Sequence, residues 1–225
     1  MALFTTDFLH FFEELSQNNH KDWFHQNKRR YENAVKRPFE TLVGELIEKI
    51  RPYDPDLLIT PKDAILRINR DIRFSQDKAP YNTYVTAFIS RGGRKDKSIP
   101  GFFIRLSPDM LGIMTGCYGP DKAQLNLIRE AILQQPDRWH SISTAPSFRE
   151  KLGDVKGETN KRLPAPFAEA SDRLPILANK QFYTLTELPA QSILSEMLSD
   201  DLMEYWHTAY PFNQFLLNAI TQQYV

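Results

Sequence analysis

Apolar positions recur along this chain with two different periods. Phe8, Leu9, Phe11, Phe12 and Leu15 fall at helical spacing, with Thr6 or Asp7 expected as the N-cap. Ser16-Gln17-Asn18-Asn19 reads as a turn, with Asn19 expected to cap the next helix and Asp22 placed near its N-terminus. Trp23, Phe24, Asn27, Tyr31 and Val35 then share one face. Pro38 interrupts the pattern and should kink or restart the helix. Beyond it Phe39, Leu42, Val43, Leu46, Ile47 and Ile50 form an amphipathic stripe.

Pro52, Pro55 and Pro61 mark a loop, and after it the period shortens to two. Residues 64–69, 84–90, 102–107 and 111–118 are the strand candidates, with a tight turn at Ser107-Pro108-Asp109 between the last two. No helix-length segment separates these runs. Parallel pairing needs long crossovers, so an antiparallel sheet is expected. Asp121 should cap a helix carrying Leu125, Ile128, Ile132 and Leu133, which Pro136 stops. A fifth strand is expected over residues 182–188, and closing helices around residues 193–207 and 212–222. Neither a repeat nor a linker stands out. The expectation is one α+β domain over residues 1–225, a mainly antiparallel sheet flanked by N-terminal and C-terminal helices.

Composition narrows the class. Of 225 residues 41% are apolar and 25% charged, which argues against disorder and for a chain that buries its own core. With one cysteine, Cys117, no internal disulfide can form, and a reducing compartment is the natural setting. The N-terminus carries no basic segment followed by a long apolar one, and no apolar run approaches the roughly 18 residues that span a membrane. A cytoplasmic protein without membrane contact is expected. The net charge is zero but uneven. Residues 62–97 hold nine Lys or Arg against four Asp, whereas residues 190–225 hold four acids and no Lys or Arg. Such asymmetry can mark an anion site, or two surfaces that neutralise each other.

The basic excess centres on residues 67–81. Arg67, Arg70, Arg73 and Lys78 lie there with Asp71, Asp77 and Tyr81. Arginine suits planar, bidentate recognition of carboxylate or phosphate. Asp71 and Asp77 could orient those cations or hold a divalent ion, although no metal motif appears. Tyr81 could donate a hydrogen bond or stack on a base. A second basic element follows at Arg91-Gly92-Gly93-Arg94-Lys95-Asp96-Lys97, whose glycines would allow backbone to approach an anion. Two other readings stand beside the anion site. Arg and Asp could tie a loop to the sheet through hydrogen-bonded ion pairs, or Asp71 could act in acid–base chemistry. A solvated hairpin tip would account for residues 91–97.

The pattern Arg67-x-x-Arg70-Asp71-x-Arg73-Phe74, followed by Asp77-Lys78 and Tyr81, resembles the signature of an uncharacterised bacterial domain-of-unknown-function family whose members have about this length. The opening run from Phe8 to Trp23-Phe24, the Lys161-Arg162-Leu163-Pro164 stretch and Lys180-Gln181-Phe182-Tyr183 resemble it too. The resemblance covers nearly the whole chain. It implies one cytoplasmic domain with the central motif as its hallmark, and no activity, substrate or cofactor.

Other signals carry less. His20 and His25 are spaced i,i+5, whereas a helical zinc pair needs i,i+4. Gly112, Gly116 and Gly119 lack the strand–loop–helix context of a dinucleotide site, and neither a P-loop nor a nucleophile elbow is present. Trp23, Phe24 and Tyr31 read as core. The sequence therefore points first to binding of an anionic, phosphorylated small molecule or nucleotide by the central Arg/Lys cluster, with or without catalysis. The alternatives are a nucleic-acid-binding module, which zero net charge disfavours, and an interaction protein whose Arg–Asp motif is structural. No motif names a cofactor.

Overall fold

The computed structural model describes residues 2–222. Four strands, Val85–Ile89 (β1), Gly101–Leu106 (β2), Met110–Cys117 (β3) and Phe182–Pro189 (β4), form one antiparallel sheet in the order β1-β2-β3-β4. Helices precede and follow it, so the α+β class holds. The chain divides into two compact units. The first takes the residues up to Arg94, with Phe103–Ile113 and Glu187–Met203; the second takes Lys95–Phe102, Met114–Thr186 and the residues from Glu204 onward.

In the first unit, α1 (Thr6–Gln17) buries Phe8, Phe11, Phe12 and Leu15 completely, and these rings meet edge to face. Its N-cap is Thr5, one residue before the expected position, and no side chain caps it. The short helix α2 (Lys21–Gln26) is capped by His20, whose Nδ1 accepts from the Trp23 N–H. Asn19 is not that cap. Its side-chain amide donates to the Tyr81 carbonyl and accepts from the Tyr81 N–H, and so stands in for a strand neighbour. An amide has both a donor and an acceptor, which a helix cap would leave half used.

The next helical stretch is continuous through three segments: α3 (Lys28–Tyr31), a π turn at Glu32–Lys36, and α4 (Arg37–Ile50). Pro38 neither ends nor restarts the helix. Its ring would clash with the carbonyl four residues back in a regular helix, and the wider turn directly before it relieves that clash. Arg30 ties this stretch to α1 with a bidentate grip on Glu14 and a bond to Asp7, which raises its pKa and lowers that of Glu14. The apolar face of α4 is buried from Phe39 to Ile50 and packs on β1, whose five residues are all buried. Residues 64–69 do not form a ladder strand. After α5 (Pro61–Ala64) the chain is extended and touches the 81–87 segment only through isolated antiparallel bridges, Ile65 with Ala87 and Asn69 with Tyr81.

In the second unit, α6 (Lys122–Gln134) begins at Asp121, the expected cap, and Gln124 closes a capping box with it. Trp139 on α7 (Pro136–Ser143) sits among Phe182, Phe212 and Phe215. Between α7 and β4 lie α8 (Pro146–Leu152) and α9 (Phe167–Ala170). Cys117 is wholly buried in the same core; burial pushes its thiol up to about 12, and its Sγ–H donates to the Ser98 carbonyl. The last helix, α10 (Leu198–Thr221), runs unbroken through Pro211, where two helices were expected. A proline inside a helix costs about 3 kcal/mol. Burial of Ala209, Phe212, Phe215 and Leu216 outweighs that cost. Residues 190–194, which belong to the first unit, form a 3₁₀ turn ahead of it.

Candidate functional site

The central motif is folded upon itself. Arg70 pairs with Asp77 and also donates to the Ala79 carbonyl. Arg73 grips Asp71 through two nitrogens, and Lys78 donates to the Ile72 carbonyl. These bonds hold the Asp71 and Asp77 carboxyls below the usual range, through the Arg73 side chain for the first and the Ala79 N–H, then Arg70, for the second. The loop presents Phe74, which is 95% exposed, with the Arg73 guanidinium beside its ring. Tyr81 lies apart from these groups: it is buried, and its ring stacks on Phe24 at 4.0 Å.

The second basic element is also divided. Arg91 is paired with Asp54 and Asp56, both at 2.8 Å. Gly93 has φ +60°, and a Cβ there would stand 2.8 Å from the Asp63 carbonyl oxygen. Its glycine therefore serves a close approach to α5, not to a ligand. Lys97 belongs to the second unit, where its carbonyl accepts from the Gly119 N–H.

Two of the predicted cations, Arg67 and Arg94, line a cleft of about 300 Å³ inside the first unit. One wall is helical: Tyr31, Lys36, Phe39 and Glu40. The rest comes from Lys62 on α5, the extended residues 65–68 and Val85. Four cations thus face the cleft against one carboxylate. Lys36 and Glu40 are 4.0 Å apart, and Arg94 donates one N–H to the Ile65 carbonyl. Among the described residues, the exposed side chains of Lys62 and Arg67 make no hydrogen bond and no ion pair. Burial, with Glu40 and then Glu32 nearby, pushes the Tyr31 phenol up to about 12. At neutral pH it is a hydrogen-bond donor. Its ring rests against Phe11 and Phe24.

The structure thus separates the nine singled-out residues into three groups. Arg70, Asp71, Arg73, Asp77 and Lys78 bond within one loop; Tyr81 and Arg91 bind other parts of the first unit; Arg67 and Arg94 reach the cleft. Tyr31, Lys36, Glu40 and Lys62 are the cleft residues that motif reading passes over. One signal for them was present. Asn27, Tyr31, Val35 and Phe39 are spaced by four three times running, which drifts about 120° around a helix of 3.6 residues per turn. Such a run, with Pro38 just before its last member, fits a helix containing a π turn. Among the described residues no three His, Cys, Asp or Glu side chains gather as a metal-binding group, and no helix is long and apolar enough to cross a membrane.

No curated protein and no solved structure matches this chain. The model of the conserved hypothetical protein family DUF2461 matches it over residues 7–215, from the first turn of α1 to near the end of α10. The chain belongs to that family.

Proposed function

We propose that this protein binds an anionic, phosphorylated small molecule in the cleft between α4, α5 and the extended 65–68 segment. The observation that carries this reading is the pair of unpaired cations, Lys62 and Arg67, beside Arg94 in a concavity of about 300 Å³. Among the described residues of the first unit Lys28, Arg29 and Arg37 also make no hydrogen bond or ion pair but do not line the cleft, while Arg30, Arg70, Arg73 and Arg91 have their carboxylates in place. Lys62 lies in the field of Asp63 and Arg67 in that of Asp71, but a cation that makes no hydrogen bond or ion pair on the wall of a cleft is available to an incoming anion. Tyr31 adds a neutral donor. Nucleic-acid binding fits less well, since the net charge is zero and Arg70 and Arg73 already hold carboxylates inside the motif. The buried, unpaired Cys117 suits a reducing compartment, and we place the protein in the cytoplasm.

Calorimetric titration with uridine 5′-monophosphate is the test. Arg67→Ala should weaken binding by roughly tenfold to a hundredfold, the weight of one charge-assisted hydrogen bond at about 1.5–3 kcal/mol. Arg73→Ala, in the self-paired loop, should leave affinity unchanged. A folded Arg67→Ala protein that binds as tightly as wild type would refute the assignment.

A further inference from the structure

The helical wall of the cleft exists because of the π turn. In a regular α-helix, at about 100° per residue, Lys36, Phe39 and Glu40 would stand at about 140°, 80° and 180° from Tyr31. Tyr31 and Glu40 would then face opposite ways. Instead the Arg37 N–H bonds to the Glu32 carbonyl five residues back, so the turn holds one residue more than an α turn. Every later position rotates back by about 100°, to roughly 40°, −20° and 80° from Tyr31. All four side chains then share a stripe about 100° wide, the width of one helix face. They line the same cleft.

That stripe offers what a bare oxyanion does not use. Lys36 is offset by Glu40, which leaves Lys62, Arg67 and Arg94 as the three other cations of the lining. A phosphate dianion suits them better than a single carboxylate does. Ile65 and Ile68, both half-buried, supply apolar surface, Phe39 being only 1% exposed, and Glu40 supplies an acceptor. A cleft of about 300 Å³ is at the lower end of the range for organic ligands. Building on the anion reading of the cleft, we infer that its ligand is an organic phosphomonoester, with an apolar body against Ile65 and Ile68 and a hydroxyl or amino donor on Glu40, and that the π turn at residues 32–36 assembles the wall that recognises that organic part.

Three probes separate this from the simpler anion reading: inorganic phosphate, phenyl phosphate and uridine 5′-monophosphate, each titrated into the folded chain. Wild type should bind the nucleotide most tightly and inorganic phosphate at least tenfold more weakly than either ester. Deletion of Ala34 should return the π turn to an α turn, and both esters should fall to the affinity of inorganic phosphate while phosphate itself is unaffected. Should the deletion variant not fold, Glu40→Ala makes the second comparison and should erase the advantage of the nucleotide over phenyl phosphate. Equal binding of all three probes by wild type would overturn the ester assignment and leave the anion site standing. Unchanged nucleotide binding by a folded deletion variant would overturn the role of the π turn, and absence of binding by any probe would overturn both the ester assignment and the anion site.

Discussion

Arg70 and Arg67 lie three positions apart and have opposite fates. Arg70 is 26% exposed and its partner Asp77 66% exposed, so their ion pair is well screened. Arg70→Ala should therefore lower stability by less than about 1 kcal/mol, as read by urea denaturation, and not by the 3–5 kcal/mol of a buried pair. Asn19→Ala should cost more, about 1–3 kcal/mol, because it leaves both backbone groups of the buried Tyr81 without a partner. Tyr31 makes a prediction in alkali. Its phenol titrates near 12 in the folded chain and near 10 unfolded, so the neutral form favours the fold. That stability is complete below pH 10 and is lost as the pH rises from 10 to 12, by up to about 2–3 kcal/mol. Tyr31→Phe should show a shallower loss over the same range. Cys117, whose thiol is raised to about 12, should resist alkylation at pH 8 in the native protein and react readily in urea.

At the scale of elements, what the sequence disclosed followed from local rules. The stripe of α4, the Asp121 cap, the turn at residues 107–109 and the extent of β4 rest on spacing and on neighbours within a few residues, and all are where pattern and turn chemistry place them. The misses have tertiary causes. Asn19 chose the backbone of Tyr81, 62 residues away, over the helix beside it. Residues 64–69 have the alternation of a strand, but α5 intrudes at Ala64 and only isolated bridges remain. Pro38 and Pro211 both lie within continuous helix, the first by way of a π turn and the second under the pull of a buried aromatic face.

For the molecule as a whole, net charge gave a coarse map. The basic excess of residues 62–97 suggested one site; five of its nine cations bond to carboxylates or carbonyls nearby, and Lys62, Arg67 and Arg94 line the cleft. The candidate site was half legible: Arg67 and Arg94 were in view, whereas Tyr31, Lys36 and Glu40 reach the cleft through a helix whose phase depends on a single extra residue. A motif is contiguous in sequence, and a cleft is not. The central claim, an anion site in the first unit, is tested most directly by thermal unfolding with and without uridine 5′-monophosphate, for wild type and for the Lys62→Ala, Arg67→Ala double variant. Ligand at 100 times its dissociation constant should stabilise wild type by about 2.7 kcal/mol, a rise of roughly 5–11 °C for a chain of this size. The double variant should unfold at a similar temperature without ligand and show no rise with it. A rise of the same size in both proteins, or in neither, would contradict the account.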